Sequence, residues 1–250
     1  MDILQRIHSH EDLLKLNDDE LLVLCNQIRE FLIDCVSKTG GHLASNLGTV
    51  ELSVALEVVY DTQIDRLVFD VGHQSYIHKM LTGRQEMFDT LRQFGGMAGF
   101  PKPSESATDA FTAGHSSSSV SIALGMARAR SLTKEKYNVV AVLGDGAATG
   151  GMVYEGLNDA AESKEPMIVI LNDNAMSIDR NVGGLAKHLS RLRSSDEYLK
   201  LKMAYRRALK KIPGGVHFYR LTSGIKNRIK RFLLPSTIFE NMGLTYLGPV

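Results

Sequence analysis

"VVAVLGDGAATGG", residues Val139–Gly151, is the stretch on which the reading of this chain turns. Five apolar residues run without a break into Gly144-Asp145-Gly146. An apolar run with no polar alternation predicts a strand buried on both faces. "TGGMVYEGLNDAAES" follows with a helical pattern, beginning near Thr149, and then comes a second apolar run, "PMIVILNDN". Val139–Asn174 therefore predicts one βαβ unit with parallel strands.

Working outward, the same alternation recurs. "RLVFDVGH" predicts a short strand that ends at Gly72-His73. "NDDELLVLCNQIREFLIDCVSKTGG" predicts a helix capped by Asn17 or Asp18 and stopped by Gly40-Gly41. "TVELSVALEVVY" and "SSVSIALGMARARSL" predict two more, the latter with small residues along one side. The expected fold is α/β: a mostly parallel sheet with helices on both faces.

In such sheets ligands sit beyond the carboxyl ends of the strands. Asp145 and Asn174, 29 positions apart, fall at two such ends. Both offer hard oxygens, and few protein oxygens with room for phosphate and water suit Mg²⁺. The glycines let a ligand approach the backbone, and the following helix N-terminus favours a diphosphate. A lone GDG is a common turn, and Asn174 could equally close a turn. The two motifs after successive strands carry more weight, and they point to a Mg²⁺-diphosphate site.

The bulk properties limit the alternatives. The chain has 250 residues, 44% of them hydrophobic, and a formal net charge of +1. One large domain or two small ones fit that length. Cys25 and Cys35 lack metal-type spacing and point to reduced thiols and a cytoplasmic protein. The opening residues carry no signal-peptide pattern, and no stretch is long and apolar enough for a membrane span. Charge is uneven: Lys187–Arg231 holds fourteen Lys or Arg against two acids, about +12, leaving about −11 elsewhere. With few aromatics and no nucleic-acid motif there, residues 181–236 are expected to form a solvated, mobile insertion rather than a nucleic-acid surface.

"GDGAATGGMVYEGLNDA" and "LNDNAMSI" resemble the 1-deoxy-D-xylulose-5-phosphate synthase family of thiamine diphosphate enzymes. "GGHLASNLGTVELSVAL", "DVGHQSYIHKMLTGR", "GFPKPSES", "DAFTAGHSSSSVSIALGMA" and "NVGGLAKHLSRLR" resemble it too, in the family's order, from about Leu13 to Val250. The resemblance implies the thiamine diphosphate-binding fold, with residues 1–250 as a diphosphate-binding domain incomplete at its C-terminus. It implies thiamine diphosphate and Mg²⁺ as cofactors, and condensation of pyruvate with D-glyceraldehyde 3-phosphate with loss of CO₂. That product feeds isoprenoid and thiamine precursors. The family enzyme is homodimeric and considerably longer; its second domain binds the aminopyrimidine ring and supplies a glutamate.

The resemblance also distributes roles. His42 and His73 become active-site residues that handle protons near the thiazolium. His73, Gly114, His115, Ser116, Asp145, Gly146, Ala147 and Asn174 become cofactor contacts. Asp145, Asn174 and the Met176 carbonyl become metal ligands. On the residues alone, each histidine is more often a hydrogen-bonded structural group than a catalytic one. Lys102 and Arg84 could hold an anion or be surface charges, and Met126 and Met152 read as core. Ile77, Ala107-Thr108 and Ala175 depart from the family pattern. The chain alone is expected to be inactive. Two rival readings remain open: a subunit of a two-chain transketolase-like enzyme, and a catalytically dead interaction domain.

Overall fold

The computed structural model describes residues 3–173 and 238–247. Three strands form a parallel sheet in the order β1-β2-β3: β1 Arg66–Phe69, β2 Val139–Gly144 and β3 Ile168–Asn172. Arg66 pairs with Val139 and Phe69 with Val142; Val140 pairs with Ile168 and Gly144 with Asn172. The central strand is β2, and its residues alternate between two cores as a pleated strand must. Val140 and Val142 pack with Leu56, Leu67 and Phe69 on one face. Val139 and Ala141 pack with Val68, Ala123 and Ala127 on the other.

Helices α1 His10–Leu13, α2 Asp18–Thr39, α3 Leu43–Leu47, α4 Val50–Val59 and α5 Tyr76–Lys79 flank the first strand in sequence. Helices α6 Ser119–Thr133 and α7 Gly151–Ser163 flank the second. The start of α2 is a capping box. The Asn17 side chain accepts the Glu20 amide, and the Glu20 carboxylate accepts the Asn17 amide, both at 3.0 Å. Its buried stripe, Leu24, Cys25, Ile28, Leu32, Cys35 and Val36, meets Tyr76, Ile77, Met80 and Phe88 in the largest apolar cluster. Ile77, a departure from the family pattern, is wholly buried there. Both cysteines are free and buried, and burial raises their thiol pKa values. The small side of α6 is real: Gly156 of α7 lies so close that an added Cβ would stand 2.9 Å from the Ser121 hydroxyl.

Three expectations need correction. The helix after the GDG turn begins at Gly151, because Ala147–Thr149 first make a short 3-10 turn. The strand "PMIVILNDN" is only partly buried, with Ile168 exposed, since among the described residues β3 has a neighbour on one side alone. Met152 is half exposed rather than core, whereas Met126 packs against the α6 cluster.

The chain divides into two compact units, Met1–Asn181 and Val182–Val250. In the second, α8 spans Ile238–Asn241, and Phe239 stacks on Tyr246 with ring centroids 5.9 Å apart. The expected insertion at 181–236, including Lys187–Arg231, lies outside the described residues. Among the described residues no helix is long and apolar enough to cross a membrane.

Candidate active site

The strand ends β1 and β2 carry the candidate site, as the parallel sheet requires. After β1 the chain runs Asp70-Val71-Gly72-His73, with Val71 and Gly72 at positive φ. Gly72 is required there: a Cβ would stand 2.5 Å from Pro101 Cδ and 2.7 Å from Ala113 Cβ. His42 arrives separately, as the residue that precedes α3. Its ring meets the His73 ring edge to face, with centroids 5.2 Å apart and planes at 70°. The Phe100 ring lies tilted beside His42, with centroids 6.4 Å apart.

Burial lowers the pKa of both imidazoles, and charge neighbours add to it. For His42 the second cause is the Arg92 cation, and for His73 it is His42, with Asp70 opposing. Both rings are thus neutral at neutral pH, able to give or take a proton. Nδ1 of His73 is buried with no hydrogen-bond partner. An orphaned buried ring nitrogen costs free energy unless a ligand completes it.

The second half of the site is held by Asp70. Its buried carboxylate accepts the amides of Ser117 at 2.7 Å and Ser119 at 2.9 Å. Ser117, at φ 69°, donates its hydroxyl to the Ala147 carbonyl at 2.8 Å. One carboxylate therefore ties the loop Gly114–Ser119 to the end of β1, and Ser117 ties that loop to the GDG turn. Gly114, His115 and Ser116 stand exposed on this loop. The Asp145 amide donates to the Asn172 carbonyl at 3.1 Å, and its Oδ1 accepts the Gly146 amide at 2.9 Å. Nothing lies within 4 Å of where a Cβ would sit on Gly144, Gly146 or Gly114.

This arrangement fits a Mg²⁺-diphosphate group. Open backbone faces Gly114 and Gly146, the Asp145 carboxylate supplies a hard oxygen, and His73 offers an unpaired nitrogen. Asn174, Met176 and the departure at Ala175 lie outside the described residues.

Arg84 is neither an anion site nor a surface charge. It is buried and grips Asp109 with two hydrogen bonds, 2.7 and 2.8 Å. Asp109 also accepts the amide of Lys102, whose side chain is exposed. The same cluster holds His78 between Glu57 (2.6 Å) and Asp109 (3.0 Å), and Lys79 on Glu105 (2.6 Å). Three acids and three bases thus neutralise each other behind the site. Thr108, another departure, contributes its hydroxyl to Arg84 at 3.4 Å.

The sequence patterns do not single out Asp70 and Ser117, which tie the loop to the strand ends. A signal for Asp70 was present: it ends "RLVFD" as Asp145 ends "VVAVLGD".

The family model for 1-deoxy-D-xylulose-5-phosphate synthase matches residues 4–250. The chain belongs to the 1-deoxy-D-xylulose-5-phosphate synthase family. The synthase of Clostridium beijerinckii is 53% identical over 250 residues, all of this chain and 40% of that protein. The synthase of Clostridium kluyveri is 54% identical over 240 residues, 96% of this chain and 38% of that one. The chain thus spans about two fifths of the length of these curated relatives, corresponding to the family's N-terminal part. Transketolase from Leishmania mexicana shares the fold, with a TM-score of 0.56 at 23% identity over 64% of this chain and 28% of that one. A transketolase variant from Pichia stipitis matches at 0.53 over 61% and 26%.

Proposed function

We propose that this chain forms the diphosphate-binding part of a 1-deoxy-D-xylulose-5-phosphate synthase. The reaction is condensation of pyruvate with D-glyceraldehyde 3-phosphate with loss of CO₂, in a homodimeric cytoplasmic enzyme. When bound, thiamine diphosphate supplies a nucleophilic carbon and an electron sink for decarboxylation. Asp145, with Asn174 and the Met176 carbonyl, would hold Mg²⁺, whose charge would offset that of the diphosphate. Gly114, His115, Ser116, Gly146 and Ala147 line that end with backbone and polar groups. His42 and His73, both neutral, take and return protons at substrate oxygens, with Nδ1 of His73 as one transfer atom. Phe100 packs against the His42 ring.

The observation that carries this reading is the buried, unpartnered Nδ1 of His73 in a ring packed on His42. A buried ring nitrogen that the protein leaves unpaired is open to a ligand atom. The test uses a complete synthase containing this sequence. His42→Ala and His73→Ala should keep the melting temperature while turnover falls about 10²–10⁴-fold, and His42→Ala should also keep Mg²⁺-dependent cofactor affinity. Asp145→Ala should lose the metal-dependent cofactor binding seen by calorimetry. Large loss of stability with normal specific activity in the histidine variants would make them structural residues, and unchanged affinity in the Asp145 variant would remove the metal assignment.

A further inference from the structure

The side chain of Asn46 joins the two histidine segments and is wholly buried. Its Nδ2 donates to the carbonyl of His42 at 2.7 Å and to the carbonyl of His73 at 2.8 Å. Its Oδ1 accepts the amide of Tyr76 at 2.9 Å. Both amide protons and the carbonyl of one short side chain are thus used on the backbones that carry the two imidazoles. The Tyr76 hydroxyl closes the ring of contacts by accepting the His42 amide at 3.4 Å.

We propose that Asn46 is a positioning residue of the active site, setting the spacing and mutual angle of His42 and His73 through their carbonyls. The inference rests on the reading of those histidines as proton-transfer groups. The geometry favours it over a purely local helix role. The bond to His42 lies within one helical turn, four residues apart, and any helix could supply a substitute for it. The bond to His73 spans 27 residues and connects the start of α3 to the end of β1. No other described side chain bonds to both segments: Tyr76 touches His42, and Gln74 reaches back to Asp70 alone. A rigid group that fixes two catalytic rings from behind is what preorganised chemistry requires, since a shift of about 1 Å can cost about 100-fold in rate.

Asn46→Ser separates the two roles. Serine can still bond to the carbonyl four residues back in its own helix. It is too short to reach His73 as well. Asn46→Ala removes all three side-chain bonds, to the His42 and His73 carbonyls and the Tyr76 amide. In a complete synthase containing this sequence, Asn46→Ser should melt within a few degrees of the parent yet lose turnover about 10- to 100-fold. The loss should vanish in a His73→Ala background, because a positioning residue has no further effect once the group it positions is gone. A second readout needs no substrate. In the cofactor-free enzyme, NMR titration of the imidazoles should show His42 moving up toward its ordinary value in Asn46→Ser. The groups facing the pair are Arg92 and Tyr76 beside His42, and Asp70 beside His73.

Full turnover in Asn46→Ser, or equal losses with and without His73, would overturn the inference. If Asn46→Ser does not fold, Asn46→Thr, which keeps the same hydroxyl bond to the carbonyl four residues back and refills part of the lost volume, provides the same cycle, judged per folded molecule. Should His73→Ala itself keep full turnover, the reading of the histidines fails first, and that outcome is visible in the single variant alone.

Discussion

At the scale of single residues, Gly150 shows how tightly the site is assembled. Its φ of −78° suits any amino acid, so the backbone does not demand glycine there. The space does: a Cβ would stand 2.0 Å from Ser117 Oγ and 2.8 Å from Ser117 Cβ. Ser117 cannot yield freely, because its amide is held by Asp70 and its hydroxyl by the Ala147 carbonyl. Gly150→Ala should therefore destabilise the protein by about 1–3 kcal/mol through overpacking. Gly144→Ala, with nothing within 4 Å, should change stability by less than about 0.5 kcal/mol. Urea unfolding of both variants checks this; equal effects would mean that the close approach is not what fixes glycine at 150. Asp145 was legible at this scale because its motif is contiguous. Asn46 was not, and Asp70 was marked only by its place at a strand end, since they act on backbone groups 27 and 47 residues away and no local spacing encodes such contacts.

At the scale of elements, the six charged residues behind the site link α4, α5 and the segment around Asp109. His78 is wholly buried within them. Burial pulls its pKa down, but the Glu57 charge and the hydrogen bonds to Asp109 and Glu57 overcome this and raise it to about 9. Burial likewise opposes ionisation of Asp109, yet His78 and Arg84 hold its carboxyl well below the usual range. A histidine whose folded pKa exceeds its unfolded value of about 6.5 stabilises fully below that value. The contribution is lost as pH rises toward about 9. The unfolding free energy should fall across pH 6.5–9, and His78→Gln should remove that slope. A flat profile in the parent protein would show that the imidazole is not charged in the fold. Sequence patterning made the elements themselves legible: the acids after Asn17 and the apolar run at Val139 each predict one structure only. It did not show that Arg84 is buried, because a charge that meets its counter-charge across 25 positions reads locally as solvent-facing.

At the scale of the whole molecule, the relatives are far longer than this chain, which covers about two fifths of their length. The groups gathered here, Asp145, the Gly114–Ser119 loop and the histidine pair, would hold the diphosphate and reach the reacting carbon. The family resemblance assigns the aminopyrimidine pocket and its glutamate to length beyond that covered. The 250-residue chain by itself should give no 1-deoxy-D-xylulose 5-phosphate from pyruvate and glyceraldehyde 3-phosphate with cofactor and Mg²⁺ present. Chromatographic detection of that product from the purified chain, with no second polypeptide, would contradict this.

Asp70 binds its partners by their main-chain amides, and this governs which changes the loop can survive over generations. Every residue except proline offers an amide at position 119, so the tether is indifferent to most side chains there, whereas at 117 the positive φ and the hydroxyl bond to Ala147 narrow the choice. The Ser119 hydroxyl, buried without a partner, contributes nothing that alanine would lack. Mutational drift can therefore pass through Ser119 at little cost. The carboxylate at 70 has no such freedom, since the two amides sit on its two different oxygens and no other side chain of its length offers two acceptor atoms.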